Sequence, residues 1–241
     1  MSRIPYATLI ATVMCIIGGL VFCGSMYRGS TLTALMLDNV FHLRVHWFEP
    51  MQITFIAVGG SMLALALMIL FVGFLATGAT RVKVYRAWGA RVGGRISCAI
   101  FICITYLLLL VWLVVFIFLV LVTAYYTVSW ALCSSSQVQN EGKGIDFRQF
   151  RFLFPEEIDE KYLLINPPNE IKLFCKDTVE KAEAMFILAT FSSLLIILSL
   201  VHFLVCLSAN YAHIRDHEKL QELQELQYLN DPDLTSSKDR F

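Results

Sequence analysis

The chain has 241 residues, 57% of them hydrophobic and 16% charged, and its 19 bases balance its 19 acids. A chain so apolar is neither intrinsically disordered nor an ordinary soluble domain, and zero net charge provides no general attraction to nucleic acid. Information about partners therefore lies in where the charges fall.

Four apolar runs dominate, at Tyr6–Tyr27, Gln52–Thr77, Ile96–Thr127 and Ala184–Asn210. A bilayer-spanning helix needs about 20 mostly apolar residues, and no formal charge occurs from Ile4 to Tyr27, Met51 to Thr80 or Ile96 to Asn140. The expected fold is all-α, a four-span transmembrane helical bundle with a small disulfide-stapled extracellular loop. Spans are expected at 6–27, 52–77, 98–127 and 184–210, with extracellular loops at 28–51 and 128–183. Cytoplasmic segments are expected at 1–5, 78–97 and 211–241. The 78–97 loop carries Arg81, Lys83, Arg86, Arg91 and Arg95 with no acid, whereas the long loop has more acids than bases. Short basic loops stay in the cytoplasm, so both termini are expected there.

The first run exceeds the roughly 7–15 apolar residues of a secretory signal and is expected to be a signal-anchor span. Its small residues Ala7, Ala11, Cys15, Gly19 and Cys23 recur every fourth position, and the second span has Ala57, Gly60, Ser61 and Ala64. In lipid, small residues let helix backbones approach. These faces predict a seam between the first two helices, with a homodimer face as the alternative. The first extracellular loop holds His42 and His46, a spacing that can chelate a metal on a helix, but no third ligand is near, so no metal site is expected.

The third run is the bulkiest, and Tyr125, Tyr126 and Trp130 after it suggest an interfacial aromatic belt. Being longer than a bilayer requires, it must tilt or continue as helix beyond the membrane. Cys98 stands at its cytoplasmic mouth, where juxtamembrane cysteines can be acylated. Only Cys133 and Cys175 fall in the long extracellular loop. An oxidising exterior predicts one bridge between them, the alternative being two free thiols. Phe147, Phe150, Phe152, Leu153 and Phe154 are expected to pack beneath that bridge.

The fourth span contains His202, with no Asp, Glu, Lys or Arg inside any span to pair with it. It is expected to be neutral and hydrogen-bonded to a hydroxyl of a neighbouring helix. In the tail, Leu220, Leu223, Leu226 and Leu229 recur every third residue, a period that makes no heptad seam but suits a helical extension of the span. The terminal Asp239 and Phe241 match a loose PDZ-docking pattern, in which a free carboxylate joins a sheet edge. There is no phosphate-binding glycine loop, HExxH, GxSxG or N-x-Ser/Thr sequon. Neither an enzyme nor a cofactor is expected.

Five segments resemble the myelin proteolipid protein family, most closely its neuronal membrane glycoprotein branch. They are Ile4–Gly24 (IPYATLIATVMCIIGGLVFCG), Gly73–Arg81 (GFLATGATR), Ile104–Phe116 (ITYLLLLVWLVVF), Leu173–Phe191 (LFCKDTVEKAEAMFILATF) and Leu207–Arg215 (LSANYAHIR). The resemblance implies a plasma-membrane tetraspan that organises cholesterol-rich domains, with roles in neurite and filopodium outgrowth for the neuronal branch and in membrane compaction for the myelin member. The chain departs from that pattern in having two loop cysteines where the family usually has four, no cysteine before the first span, and no glycosylation site. These departures suit a divergent member, an invertebrate one among the candidates.

The expected function is non-enzymatic: organising plasma-membrane domains and supporting protrusion or cell contacts. The alternatives are a cell-junction adhesion protein and, less favoured, an accessory subunit of a channel or transporter. Expected partners are membrane lipids, with cholesterol implied by the resemblance, extracellular or junctional membrane proteins, PDZ-type or cytoskeletal proteins, and a second copy of the chain; nucleic acid is not expected.

Overall fold

In the computed structural model the described residues are 6–43, 48–75, 88–135, 144–148, 151, 160–166 and 168–230. Expectations for His46, Phe150, Phe152, Leu153, Phe154, Asp239 and Phe241 lie outside them.

The elements follow in the order α1 (Tyr6–Asn39), α2 (Phe48–Leu75), α3 (Trp88–Cys133), β1 (Ile145–Asp146), a 3₁₀ turn (Glu160–Leu163), β2 (Leu164–Ile165), α4 (Pro168–Lys172), a π-helical stretch (Leu173–Val179) and α5 (Glu180–Asn230). Four helical segments are long and apolar enough to cross a membrane. In hydrocarbon every backbone N–H and C=O needs an internal partner, and a continuous helix supplies one. The helices overrun the bilayer: α3 has 46 residues and so reaches about 69 Å at 1.5 Å per residue. α1 continues twelve residues past Tyr27, so part of the expected first loop is helical. Its end is closed by His42 in the left-handed region (φ 52°), and the Leu43 N–H donates to the Leu37 carbonyl at 2.8 Å. The leucine-spaced tail continues α5 as helix to Asn230.

The chain forms two compact units, one comprising Met1–Val13, Leu65–Leu110 and Leu198–Phe241, the other Met14–Ala64 and Val111–Ile197. In the first, a Cβ added to Gly73 of α2 would stand 3.1 Å from Thr8 Cγ2 of α1, so glycine brings the two helices together there. In the second, glycines do the same between α1 and α5: a Cβ at Gly18 would meet Ile196 Cγ1 at 2.9 Å, and one at Gly29 would meet the Phe186 ring at 3.2 Å. Hydroxyl clasps join the helices of this unit, with Thr33 and Tyr126 at 2.7 Å, Thr123 and Thr190 at 2.9 Å, and Gln52 donating to Thr31 at 3.0 Å. Each such interhelical bond contributes roughly 0.6 kcal/mol in lipid.

Burial follows a seven-residue period. On α3 the buried side chains are Cys98, Thr105, Trp112, Leu119, Tyr126 and Cys133, every seventh residue, with Ser129 beside them. On α5 two such columns are buried, Ala182–Ala189–Ile196–Phe203 and Phe186–Ser193–Leu200–Leu207–Ile214. Seven residues fall about 20° short of two full helical turns, so a seam of this period winds slowly round its helix, as in left-handed helix packing.

The expected small-residue stripe is only partly buried. Ala11, Cys15 and Gly19 are buried, Ala7 is exposed and Cys23 half-buried. A four-residue step overshoots the 3.6-residue turn by about 40°, so a stripe of five such residues drifts off the seam at both ends. On α2, Ala57, Gly60, Ser61 and Ala64 are all exposed. Instead Gly59 faces α1, where a Cβ would overlap the Cys23 sulfur, and the Cys23 thiol donates to the Phe55 carbonyl at 3.2 Å.

Candidate functional site

The most built part of the second unit is the end that carries the disulfide. Cys133, the last residue of α3, is bonded to Cys175 within the π-helical stretch, with their Cα atoms 5.6 Å apart and a sequence separation of 42. Closing a loop of that length restricts the unfolded chain by about 4 kcal/mol in the chain-entropy model. The expected bridge is present.

Beneath it lies an aromatic cluster. Phe41, Phe147 and Phe174 meet edge to face, with centroids 5.8 Å apart for Phe41–Phe147, 6.3 Å for Phe41–Phe174 and 5.4 Å for Phe147–Phe174. All three are buried, as are Ile145, Leu163, Ile165 and Val179. The two strands pair antiparallel, Ile145 opposite Ile165 and Asp146 opposite Leu164. Phe147 N–H extends the ladder to the Leu163 carbonyl at 2.9 Å. Asp146 Oδ1 then accepts the Arg148 N–H at 2.9 Å, turning the chain. Sequence reading found Phe147 but missed Phe41 and Phe174. The one available signal was that Phe174 adjoins Cys175, so whatever holds one orients the other.

The π-helical stretch was also missed, since no residue pattern announces it. Thr178 Oγ1 donates to the Leu173 carbonyl at 3.0 Å, five residues back. The wider turn changes the register between α4 and α5. Phe174 thereby lies fully buried in the cluster while its neighbour Cys175 reaches α3. π-turns of this kind are found mostly as local insertions, frequently at functional sites.

Tyr126 is not an interfacial belt residue. It is 2% exposed, stacks on Phe186 at 4.9 Å with ring planes 19° apart, and uses its hydroxyl on Thr33. Packing outweighs the interface preference because its polar tip has an internal partner. Trp130 stays exposed, as an interfacial residue would.

The remaining candidates are scattered. Cys98 is buried, at 0% exposure. His202 is exposed, and its Nδ1–H donates to the Leu198 carbonyl of its own helix at 3.0 Å, not to a hydroxyl across a seam. One turn of helix supplies that acceptor, so no neighbour is required. His42 is exposed and caps α1. Among the described residues no three His, Cys, Asp or Glu side chains converge as metal ligands.

Comparison with known proteins agrees with this architecture. The chain is 27% identical to mouse neuronal membrane glycoprotein M6-a, over 100% of this chain and 91% of the relative. It is 28% identical to proteolipid protein DM beta of Squalus acanthias, with the same coverage, and 26% identical to mouse neuronal membrane glycoprotein M6-b, covering 76% of that protein. No solved structure matches. The family model described as myelin proteolipid protein (PLP or lipophilin) matches residues 1–219. The chain is therefore a four-helix membrane-spanning member of the myelin proteolipid protein family.

Proposed function

We propose that this protein is a plasma-membrane organiser that supports membrane protrusion or cell contacts, with the disulfide end outside the cell and both termini in the cytoplasm. The observation that carries this reading is the disulfide end itself. A bridge, a three-ring aromatic core and a strand pair hold a compact surface on helices whose apolar runs at 6–27, 52–75, 98–127 and 184–210 contain no Asp, Glu, Lys or Arg. Such an arrangement suits a fixed contact surface; an ion pathway would call for several paired ionisable groups at membrane depth, and His202 has no Asp, Glu, Lys or Arg within the spans to pair with. The basic 78–97 segment supports the orientation, and an oxidising exterior suits the bridge. The neuronal relatives support a role at cell projections. Cholesterol, PDZ-type or cytoskeletal proteins and a second copy are the partners expected of such an organiser.

Proximity labelling from a ligase fused to the tail, in native tissue and against an unrelated tetraspan, tests this. Enrichment of actin regulators and cholesterol-domain proteins is the expected outcome for protrusion, and of junction and adhesion proteins for cell contact. Channel or transporter subunits as leading hits would overturn both.

A further inference from the structure

Within the second unit, α1 and α2 are in contact at Cys23 and Gly59 but part beside that contact. The gap is a cleft of about 330 Å³ whose walls include Cys15, Gly19, Cys23, Ile56, Gly60 and Leu63. Gly19 and Gly60 make it: a Cβ added to either would meet nothing within 4 Å, although Gly19 is itself buried. A buried position with open space above it is a true gap, not a close helix approach. The cleft has essentially no polar surface. The Cys23 thiol is committed to the Phe55 carbonyl, and Cys15 is also partnered.

We propose that this cleft holds one hydrocarbon tail of a bilayer phospholipid as a resident ligand. The inference is independent of the cellular role proposed above. Both walls lie in membrane spans, and the Cys15–Cys23 stretch is about 12 Å long at 1.5 Å per residue, well inside a hydrocarbon core about 30 Å thick. Water has no partner in an apolar cavity and leaves it dry. A second copy of the chain would enter only with separate side chains from a helix lying across the mouth, leaving the floor between them unfilled. A sterol's fused rings are rigid and cannot bend to the cleft floor. A flexible acyl tail needs no hydrogen bond and bends to the floor, supplying the dispersion contacts that Gly19 and Gly60 leave unmade. Its headgroup remains at the interface, so selection is by chain shape and not by charge.

The test uses the full chain reconstituted in phosphatidylcholine vesicles doped with a phospholipid carrying a mid-chain diazirine. After photolysis, adducts are mapped by peptide mass spectrometry. Adducts are expected to concentrate on 15–23 and 56–63 at least fivefold over the exposed α3 face bearing Val114, Ile117 and Leu121. Gly60→Leu and, from the opposite wall, Gly19→Leu fill the cleft and should each reduce that ratio to near one. Gly24→Leu, at an exposed position with open space outside the cleft, should leave the ratio unchanged. Formation of the Cys133–Cys175 bridge reports folding in every variant. Equal labelling of all exposed faces in the native chain overturns the proposal without reference to any variant. It is also overturned by undiminished labelling in both folded filling variants, by displacement of the probe by cholesterol but not by unlabelled phospholipid, or by chain-to-chain adducts at the cleft.

Discussion

α3 and α5 are both long, apolar and membrane-spanning, yet 11% of the most apolar window of α3 is buried against 44% for α5. The more apolar helix is the more exposed. In water the reverse would hold, because burying apolar surface is the driving force there. Lipid tails are as apolar as leucine, so α3 gains little by hiding Val114, Ile117, Phe118 and Leu121, and these remain exposed. α5 carries Ala182, Ala189, Ser192, Ser193 and Ser199 among its buried residues, and small side chains are what permit close contact. Across these two helices, hydropathy reports lipid contact and residue size reports packing.

The largest expected effect breaks the link between the two helices. The bridge joins the end of α3 to the π-helical stretch leading into α5, so Cys133→Ser or Cys175→Ser should lower the unfolding free energy by about 4 kcal/mol. Thermal midpoints of purified protein, with and without reductant, measure it; reductant should destabilise the native chain and leave the variants unaffected. Next, Leu200→Ala in a buried column of α5 should cost about 2 kcal/mol through the cavity it opens, whereas Leu121→Ala on the exposed face of α3 should cost under about 0.5 kcal/mol. Equal costs in a denaturation titration would mean that the burial contrast has no energetic content.

A smaller effect runs the other way. Thr105 Oγ1 lies on the single buried column of α3 with no hydrogen-bond partner. Replacing an orphaned buried hydroxyl with a methyl group of the same shape removes its desolvation cost, so Thr105→Val should stabilise by about 1 kcal/mol. A loss of stability on the same scale would mean that the hydroxyl is satisfied. A smaller loss belongs to Tyr126→Phe, which keeps the stacking on Phe186 and removes the bond to Thr33. A cost of about 0.6 kcal/mol is expected. The Thr33 hydroxyl also donates to the Gly29 carbonyl at 2.8 Å, so Tyr126 is the donor in their shared bond, and the double variant should cost no more than Thr33→Val alone.

Much of the plan was legible because bilayer thickness and redox compartment act on composition alone. Runs without charge mark the membrane helices, and two loop cysteines mark the bridge. The seam was not legible. On α3 it consists of Cys98, Thr105, Trp112, Leu119, Tyr126 and Cys133, residues that share a spacing but no chemistry. The small-residue stripe of α1 was read at a four-residue period, and drift of the true helix carried Ala7 and Cys23 off the face. On α2, Gly59 and Gly60 are indistinguishable as letters. A 100° rotation puts Gly59 against Cys23 and leaves Gly60 over open space.

The sequence by itself thus determined that this chain spans the membrane four times, that its loop is bridged and that it belongs among the proteolipids. The first two depend on solvent and composition, and the third on the resemblance of whole segments, none of which neighbours alter. Only the tertiary structure decided which face of each helix is buried, that Phe41 and Phe174 close on Phe147, that a π-turn aims Cys175, and that two glycines leave a cleft. Each of these depends on which side chain of another helix stands opposite, and in lipid that is settled by shape and close contact, which hydropathy does not record.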